Sequence, residues 1–584
     1  DAGMKYLVFI SKHHDGFALW DSKASDWNAL KSSGAQRDVM RPLIEAARKR
    51  GIKVGIYYSH SLDWGNKGGL GWMPQINKAP YFGKWDAESQ EKYVNEVCIP
   101  QIKELLTEYG QVDVFWWDMG VSDLSLEYEQ KMLGAIYESG QGDHIILNNR
   151  LRFDGSTPGD HETPEQSIPG VPATGYADGH DWETCMTMND NWGYSKHDTE
   201  WKTPTDVIRK LIDIVSKGGN FLLNVGPKAD GTFPEQSSYI LSELHNYMQV
   251  NAEAIHGTRA CPLENGVPFG RVTSKVEGDR TTLYLHVFDW PTDGKLLVPG
   301  LYNANAEISL LKDGSSLHYT VEEQGLTIQV PTEAPTTYSS TIKVVVNEPL
   351  DMHVAPVIQD EDGTLTLTAE TAILQDETGI CRKTLSDGKV SLGCWKGVPS
   401  TQELVQWYTK ITKTGSFKVK GEIAAFDSGN FMLSNDNNQS RISFVGTGGW
   451  NPENFKLIEM GTFDISQTGL QNINLTTVAD GWHPLGLRKL VLEPATMTKL
   501  DENQDIPIRI FVKDNKIYCE LQVKQDCNAN FFLYNMQGEL LYQDRNNYLN
   551  AGFHTLSFVP GHSGLLLGKV IVGNKVVTQK VSIR

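Results

Sequence analysis

The chain has 584 residues, too many for one domain, and length alone predicts roughly three or four. A formal charge of -19 leaves no basic face to neutralise phosphates, which argues against a nucleic-acid partner. No run of about 18 apolar residues is present, so no membrane span is predicted, and the 40% hydrophobic and 21% charged residues are the balance of folded modules.

From the start to about residue 256, β-rich runs alternate with amphipathic helices, the pattern of parallel strands joined by helical crossovers. The predicted strands are Tyr6–Ser11, Lys53–Ser59, Val112–Asp118, Ile145–Arg150, a weaker Cys185–Asn189, and Asn220–Val225. Predicted helices are Asp38–Arg50, Glu88–Tyr109, Ser125–Ser139 and Thr205–Lys217, each followed by a glycine suited to the left-handed stop at C′. These are too few strands for an eight-stranded barrel. The chain opens on Asp-Ala-Gly-Met without a charged leader, and Gly3 reads as a helix end. The expectation is therefore an α/β unit over 1–257, a (β/α)8-like barrel that is N-terminally truncated, lacking its first strand and helix and leaving two edges open. Beyond Gly257 the texture changes to short alternating strands, predicting all-β sandwich domains over 258–350 and 351–502 and a small β-domain over 503–584. The second sandwich is carbohydrate-binding or a packing spacer, depending on whether Trp395, Trp407, Trp450 and Trp482 are exposed or buried. Seven cysteines lack C-x-x-C spacing, so no zinc site is indicated; Cys381 with Cys394, or Cys519 with Cys527, could pair in an oxidising compartment.

Chemistry concentrates at predicted strand ends, where a barrel binds its ligand. Val112-Asp-Val-Phe-Trp-Trp-Asp-Met-Gly120 is an apolar strand ending in a carboxylate; alternation puts Val114, Trp116 and Asp118 on one face and Phe115 and Trp117 on the other. His13 and His14 follow the first strand. Adjacent histidines on one strand face opposite ways, so hydrogen bonding to hydroxyls is a better reading than a metal chelate. Tyr57, Tyr58, Asp63 and Trp64 lie at the second strand end and Asn148, Asn149 and Arg150 at the fourth. The loop Gly159-Asp-His-Glu-Thr-Pro-Glu-Gln166 supplies further acids. Paired carboxylates beside an aromatic, hydroxyl-binding cleft are the apparatus of glycoside hydrolysis.

These motifs, KHHDGF at 12–17, GIYYS with LDW at 55–64, WWDMG at 116–120, NNR at 148–150, TPEQ at 163–166, WETC at 182–185, NWGY at 191–194 and SKGGNFLLNVGPKADGT at 216–232, resemble the retaining α-L-fucosidases of glycoside hydrolase family 29 over about residues 1–260. The resemblance implies Asp118 as nucleophile. It implies Glu165 as acid/base, with Glu162 in reserve and Glu183 read as part of a structural strand pair. It implies His13, His14, Tyr58, Trp116 and Arg150 as substrate-binding, no metal and no cofactor. The implied partner is a fucosylated glycan or glycoconjugate. The β-modules resemble the accessory domains of secreted bacterial glycosidases, and 503–584 resembles the C-terminal sorting domains of Bacteroidetes secreted proteins, which implies a periplasmic or extracellular location, as for an exported bacterial protein. The family's first barrel strand, ending in His-Trp-Gly, has no match. A carbohydrate-binding protein on a degenerate barrel is the alternative, and an α-L-galactosidase side specificity a further one, because hydrophobic pockets reject an added hydroxyl poorly.

Overall fold

The computed structural model describes residues 1–583 except 71–85, 121–123, 153–156, 158, 170–174, 176–178, 264–265, 375–379, 386, 388, 394–404, 496–507, 514–515, 524–525, 538, 560, 562 and 573–574. Among the described residues the first unit carries seven parallel strands, β1 (Tyr6–Lys12), β2 (Lys53–Ser59), β3 (Val114–Asp118), β4 (Ile146–Leu147), β5 (His161–Glu162), β6 (Asp181–Met186) and β7 (Asn220–Leu223). Strands β1 to β4 pair in chain order, as do β5 to β7, and a parallel bridge from Asn148 to His161 joins the two runs. Helices α1 (Met40–Lys49), α2 (Ala87–Tyr93), α3 (Ile99–Glu108), α4 (Leu126–Glu138), α5 (Pro204–Ser216) and α6 (Glu235–Ile255) lie in the connections and after β7.

The core sits between strand faces and helices. Val54, Ile56, Tyr58, Phe115 and Trp117 pack on Ile44, Ile102, Leu105, Met132 and Ile136, and all are fully buried or nearly so. Burying one such side chain contributes about 1.5–3 kcal/mol. Gly51, Gly110, Gly140 and Gly218 all have φ between 71° and 81°, so the helices stop where a side chain would be strained.

Several elements differ from expectation. The helix expected over Glu88–Tyr109 contains a wide π turn at Val94–Cys98, because Pro100 has no N–H to continue the regular ladder. The strand expected over Ile145–Arg150 is cut to two residues. There the Asn148 side chain replaces the backbone, accepting from Trp117 N–H at 2.8 Å and donating to Trp117 O at 2.9 Å, and the chain turns into a 3₁₀ helix at Asn149–Leu151. The strand expected over Cys185–Asn189 lies earlier, at Asp181–Met186, where Trp182 seats on Gly219; a Cβ there would come within 2.4 Å of the indole. Two elements were not anticipated: β5, read as an acidic loop, and α6. Helix α6 docks on the next unit: Thr341 Oγ1 donates to Asn251 Oδ1 at 2.7 Å and Thr273 Oγ1 to Ala254 O at 2.7 Å.

The remainder is antiparallel β-structure. Strands between Gly270 and Val346 form a four-stranded and a three-stranded sheet around one core. Those between Val357 and Pro494 form two larger sheets, and those between Ile508 and Ile583 two smaller ones, each pair around its own core. Trp407 is wholly inside the second of these cores and donates to Thr368 O at 2.8 Å, so this tryptophan is packing; Trp482 is half-buried, Trp450 is exposed and Trp395 lies outside the described residues. Cys381 is disulfide-bonded, and its suggested partner Cys394 is outside the described residues. The suggested Cys519–Cys527 pair is corrected: both are free thiols. Among the described residues no helix is long and apolar enough to cross a membrane.

Candidate active site

Strand register builds the site. In the parallel pairing of β2 with β3, Tyr57 lies beside Trp116 and Ser59 beside Asp118, so all four share the inner face. The Tyr57 ring stacks on Trp116 at 5.4 Å, with His13 stacked on its other side at 5.4 Å. Asp118 is 8% exposed and accepts three hydrogen bonds: Tyr57 O–H at 2.5 Å on Oδ2, and Arg150 Nη1 at 3.1 Å and Met119 N–H at 2.9 Å on Oδ1. Met119 holds φ at 61°, an uncommon left-handed conformation for a residue with a side chain.

Arg150 joins the two acids. The nitrogen that reaches Asp118 also donates to Glu165 Oε2 at 2.9 Å, so the two carboxylate oxygens are no farther apart than these two bonds laid end to end. The guanidinium lies 4.7 Å from the Trp116 ring centroid and is aimed by Thr163, which accepts from Arg150 Nε at its hydroxyl and from Nη2 at its carbonyl, both at 2.8 Å. Burial works against the Arg150 charge, yet Cys185, Asp118 and Glu165 together hold its pKa above the ordinary value. Asp118 is buried while the Glu165 side chain is 44% exposed, giving one enclosed carboxylate and one in reach of water.

The histidines are kept neutral. Burial, then the neighbouring His13, lowers the His14 pKa to about 4 against the pull of Asp118, and burial lowers that of His13 as well. A neutral imidazole offers one donor and one acceptor, the complement of a sugar hydroxyl. His14 Nδ1 is 2.8 Å from Ser59 Oγ, leaving Nε2 3.8 Å from Asp118. His13, His14 and Asp118 also present ligand atoms within 4.8 Å of one another. Arg150 already supplies the positive charge at this carboxylate, and a hydroxyl-bearing ligand satisfies the same donors and acceptors.

The structure thus brings together His13, His14, Trp116, Asp118, Arg150 and Glu165. It does not bring Tyr58 there. Tyr58 faces the helices, is fully buried and donates to Gln101 Oε1 at 2.7 Å, with Lys12 Nζ 4.4 Å from its ring centroid. The site tyrosine is Tyr57, which the alternation already applied to Trp116 and Asp118 identifies once β2 and β3 are set in parallel register. Glu162 lies on the opposite side of the β5 pleat from His161 and sits 3.6 Å from His180. Glu183 is 4% exposed and accepts from Trp116 Nε1 at 3.0 Å and from the Tyr6 hydroxyl, so it anchors the indole on which Arg150 rests.

Residues 1–253 match the family model described as Alpha-L-fucosidase. An α-L-fucosidase of Dictyostelium discoideum is 29% identical over 364 residues, covering 59% of this chain and 73% of the relative. Among solved structures, α-L-fucosidase isoenzyme 1 of Paenibacillus thiaminolyticus is 32% identical with a TM-score of 0.52, covering 60% of this chain and 84% of that one. A Bacteroides thetaiotaomicron GH29 α-L-fucosidase, described as a trapped covalent intermediate with 2-fluoro-fucosyl fluoride, is 26% identical with a TM-score of 0.50, covering 59% and 79%.

Proposed function

The chain belongs to the α-L-fucosidase family, and on that premise we propose that it is a retaining exo-α-L-fucosidase, cleaving terminal α-L-fucosyl linkages of glycans by double displacement. The observation that carries this reading is Arg150, one nitrogen of which bonds both the enclosed Asp118 and the rim acid Glu165. Retention needs two carboxyl groups about 5–5.5 Å apart, close enough for one to attack the anomeric carbon while the other serves the leaving oxygen. The shared guanidinium nitrogen, 3.1 Å from one carboxylate and 2.9 Å from the other, supports a spacing of that order. The relative trapped as a covalent intermediate supports the same course.

Glu165 protonates the glycosidic oxygen as Asp118 attacks the anomeric carbon, forming a fucosyl-aspartate and releasing the aglycone. Glu165 then takes a proton from water, which attacks the same carbon and frees L-fucose, leaving Asp118 as carboxylate and Glu165 protonated for the next turn. Tyr57, Met119 N–H and Arg150 fix the direction from which Asp118 attacks. His13, His14 and Trp116 line the sugar's place.

The seven parallel strands with helices between them support reading the first unit as a (β/α)8-type barrel with this site at its carboxyl rim. An exported location belongs to the same proposal, supported by the disulfide of Cys381, since disulfides persist in oxidising compartments.

The test is release of phenol from an aryl α-L-fucoside by the parent and by Asp118→Gly. The expected loss is about a thousandfold or more, with azide restoring turnover as a β-fucosyl azide. A folded parent that binds L-fucose without releasing phenol would overturn the reading in favour of a sugar-binding protein.

A further inference from the structure

The geometry points to a second, non-catalytic sugar site on the sandwich between Val357 and Pro494, at the end where the loops 425–428, 445–455 and 478–485 meet, binding one unit of a neutral oligosaccharide. These loops are tied to one another. Ala425 N–H donates to Thr447 Oγ1 at 2.9 Å, Thr447 N–H to Ala425 O at 2.8 Å, Gly446 N–H to Ser428 Oγ at 3.1 Å and Asn430 N–H to Gly481 O at 2.9 Å. From this frame Phe426 and Trp450 project outward, 60% and 40% exposed, their ring centroids 5.7 Å apart and their planes at 70°. The rings form a corner rather than a flat strip. The core of this sandwich is already closed by Trp407, Phe417, Phe431 and Phe463, so the two exposed rings are not needed to fill it.

The surroundings choose the ligand. Asp427 follows Phe426 in the chain, its carboxylate 3.8 Å from His483 of the facing loop and both open to solvent, and the Trp450 indole N–H has no protein acceptor among the described residues. A pyranose has an apolar C–H face and a rim of hydroxyls; the rings match the first, while the carboxylate, imidazole and indole N–H match the second. A corner two rings wide is the size of one sugar unit and too small for a stable protein interface. Asp427 and the chain charge of -19 oppose an anionic ligand. The identity of the ligand as the glycan that also bears the fucose rests on the proposed activity. Holding that glycan by a second point raises its effective concentration at the catalytic unit.

The experiment uses the full chain carrying Asp118→Gly, so that bound glycan is not consumed, on neutral oligosaccharides immobilised with and without terminal fucose. Retention is expected to fall about tenfold or more in Trp450→Ala and Phe426→Ala, the scale of one stacked ring, and to fall in Asp427→Asn, which leaves both rings in place. In the parent background Trp450→Ala should leave kcat/KM on an aryl α-L-fucoside unchanged and its melting curve superimposable, while demanding more immobilised glycan for half-maximal release. Equal retention with and without both rings, or no neutral glycan retained at all, overturns the proposal, as does a change of oligomeric state in Trp450→Ala. Retention through Trp450 without any phenol release would sink the fucosidase reading and keep this one; phenol release without Trp450-dependent retention would do the reverse.

Discussion

On β2 and β3, Tyr57 and Trp116 face inward while Tyr58 and Trp117, one residue further along each strand, face the helices. All four are at least 95% buried, so exposure does not separate them. Their partners do. The inner pair touches the carboxylates and guanidinium of the candidate site, Tyr57 on Asp118 and Trp116 on Glu183 and Arg150, whereas Tyr58 meets the Gln101 amide and the buried Lys12, and Trp117 packs against Phe115 and His60, away from those groups. In a parallel unit of this kind, residue parity distinguishes chemistry from packing better than residue type does.

The sharpest way to break that comparison lies on β5, where Glu162 and the loop acid Glu165 are rivals. Glu165→Gln is expected to lower kcat about 10²–10³-fold on substrates with poor leaving groups, and much less on an activated aryl fucoside whose departure needs no proton; Glu162→Gln should leave both rates unchanged. The opposite ranking would move the acid to Glu162.

A second test uses the histidines. His60, directly after β2 and packed against Trp117, has its pKa lowered by burial to about 4, as His14 does on the inner side. A folded-state value below the unfolded value of 6.5 means that the unfolded chain takes up protons first as pH falls. Stability from this group is therefore complete above about pH 6.5 and declines towards pH 4, by about 3 kcal/mol for His60. Urea midpoints of the parent at pH 7 and pH 4 should differ by more than those of His60→Asn; equal differences would show that His60 is not the group responsible.

The tyrosine pair separates function from stability at a smaller scale. Tyr57→Phe removes a donor to Asp118 and is expected to lower kcat about tenfold with little change in unfolding midpoint. Tyr58→Phe strands the buried Gln101 oxygen and should cost about 1–2 kcal/mol of stability with kcat per folded molecule unchanged.

Most of the first unit was legible in the sequence because its signals are local. Apolar runs, glycine stops and strand-terminal polar residues mark β1 to β3 and the helices without reference to neighbours. What escaped depended on partners distant in sequence. The choice between Tyr57 and Tyr58 needs the β2–β3 register. The shortening of β4 needs the Asn148 amide to meet the Trp117 backbone, and β5 is two residues long, below any periodic signal. Helix α6 carries a helical spacing of Ile240, Leu244, Tyr247, Met248 and Ile255, but its polar remainder resembles a linker until the sandwich that covers it is in place. Of the candidate site, Asp118, Glu165 and Arg150, which the fold brings together, were named from motif order, whereas Thr163 and Glu183, which aim Arg150 and Trp116, show their contacts only through bonds formed in the fold.

Met119 carries a consequence for engineering. Its left-handed backbone directs its N–H onto the carboxylate just before it. Glycine adopts that conformation without penalty, so Met119→Gly is expected to relieve roughly 1 kcal/mol of strain, less whatever the more flexible unfolded chain and the lost side-chain packing take back. If turnover falls while the melting temperature holds or rises, the methionine is a brake on motion at the reacting centre. Thermal hardening by consensus-style substitution would then have to pass this position by.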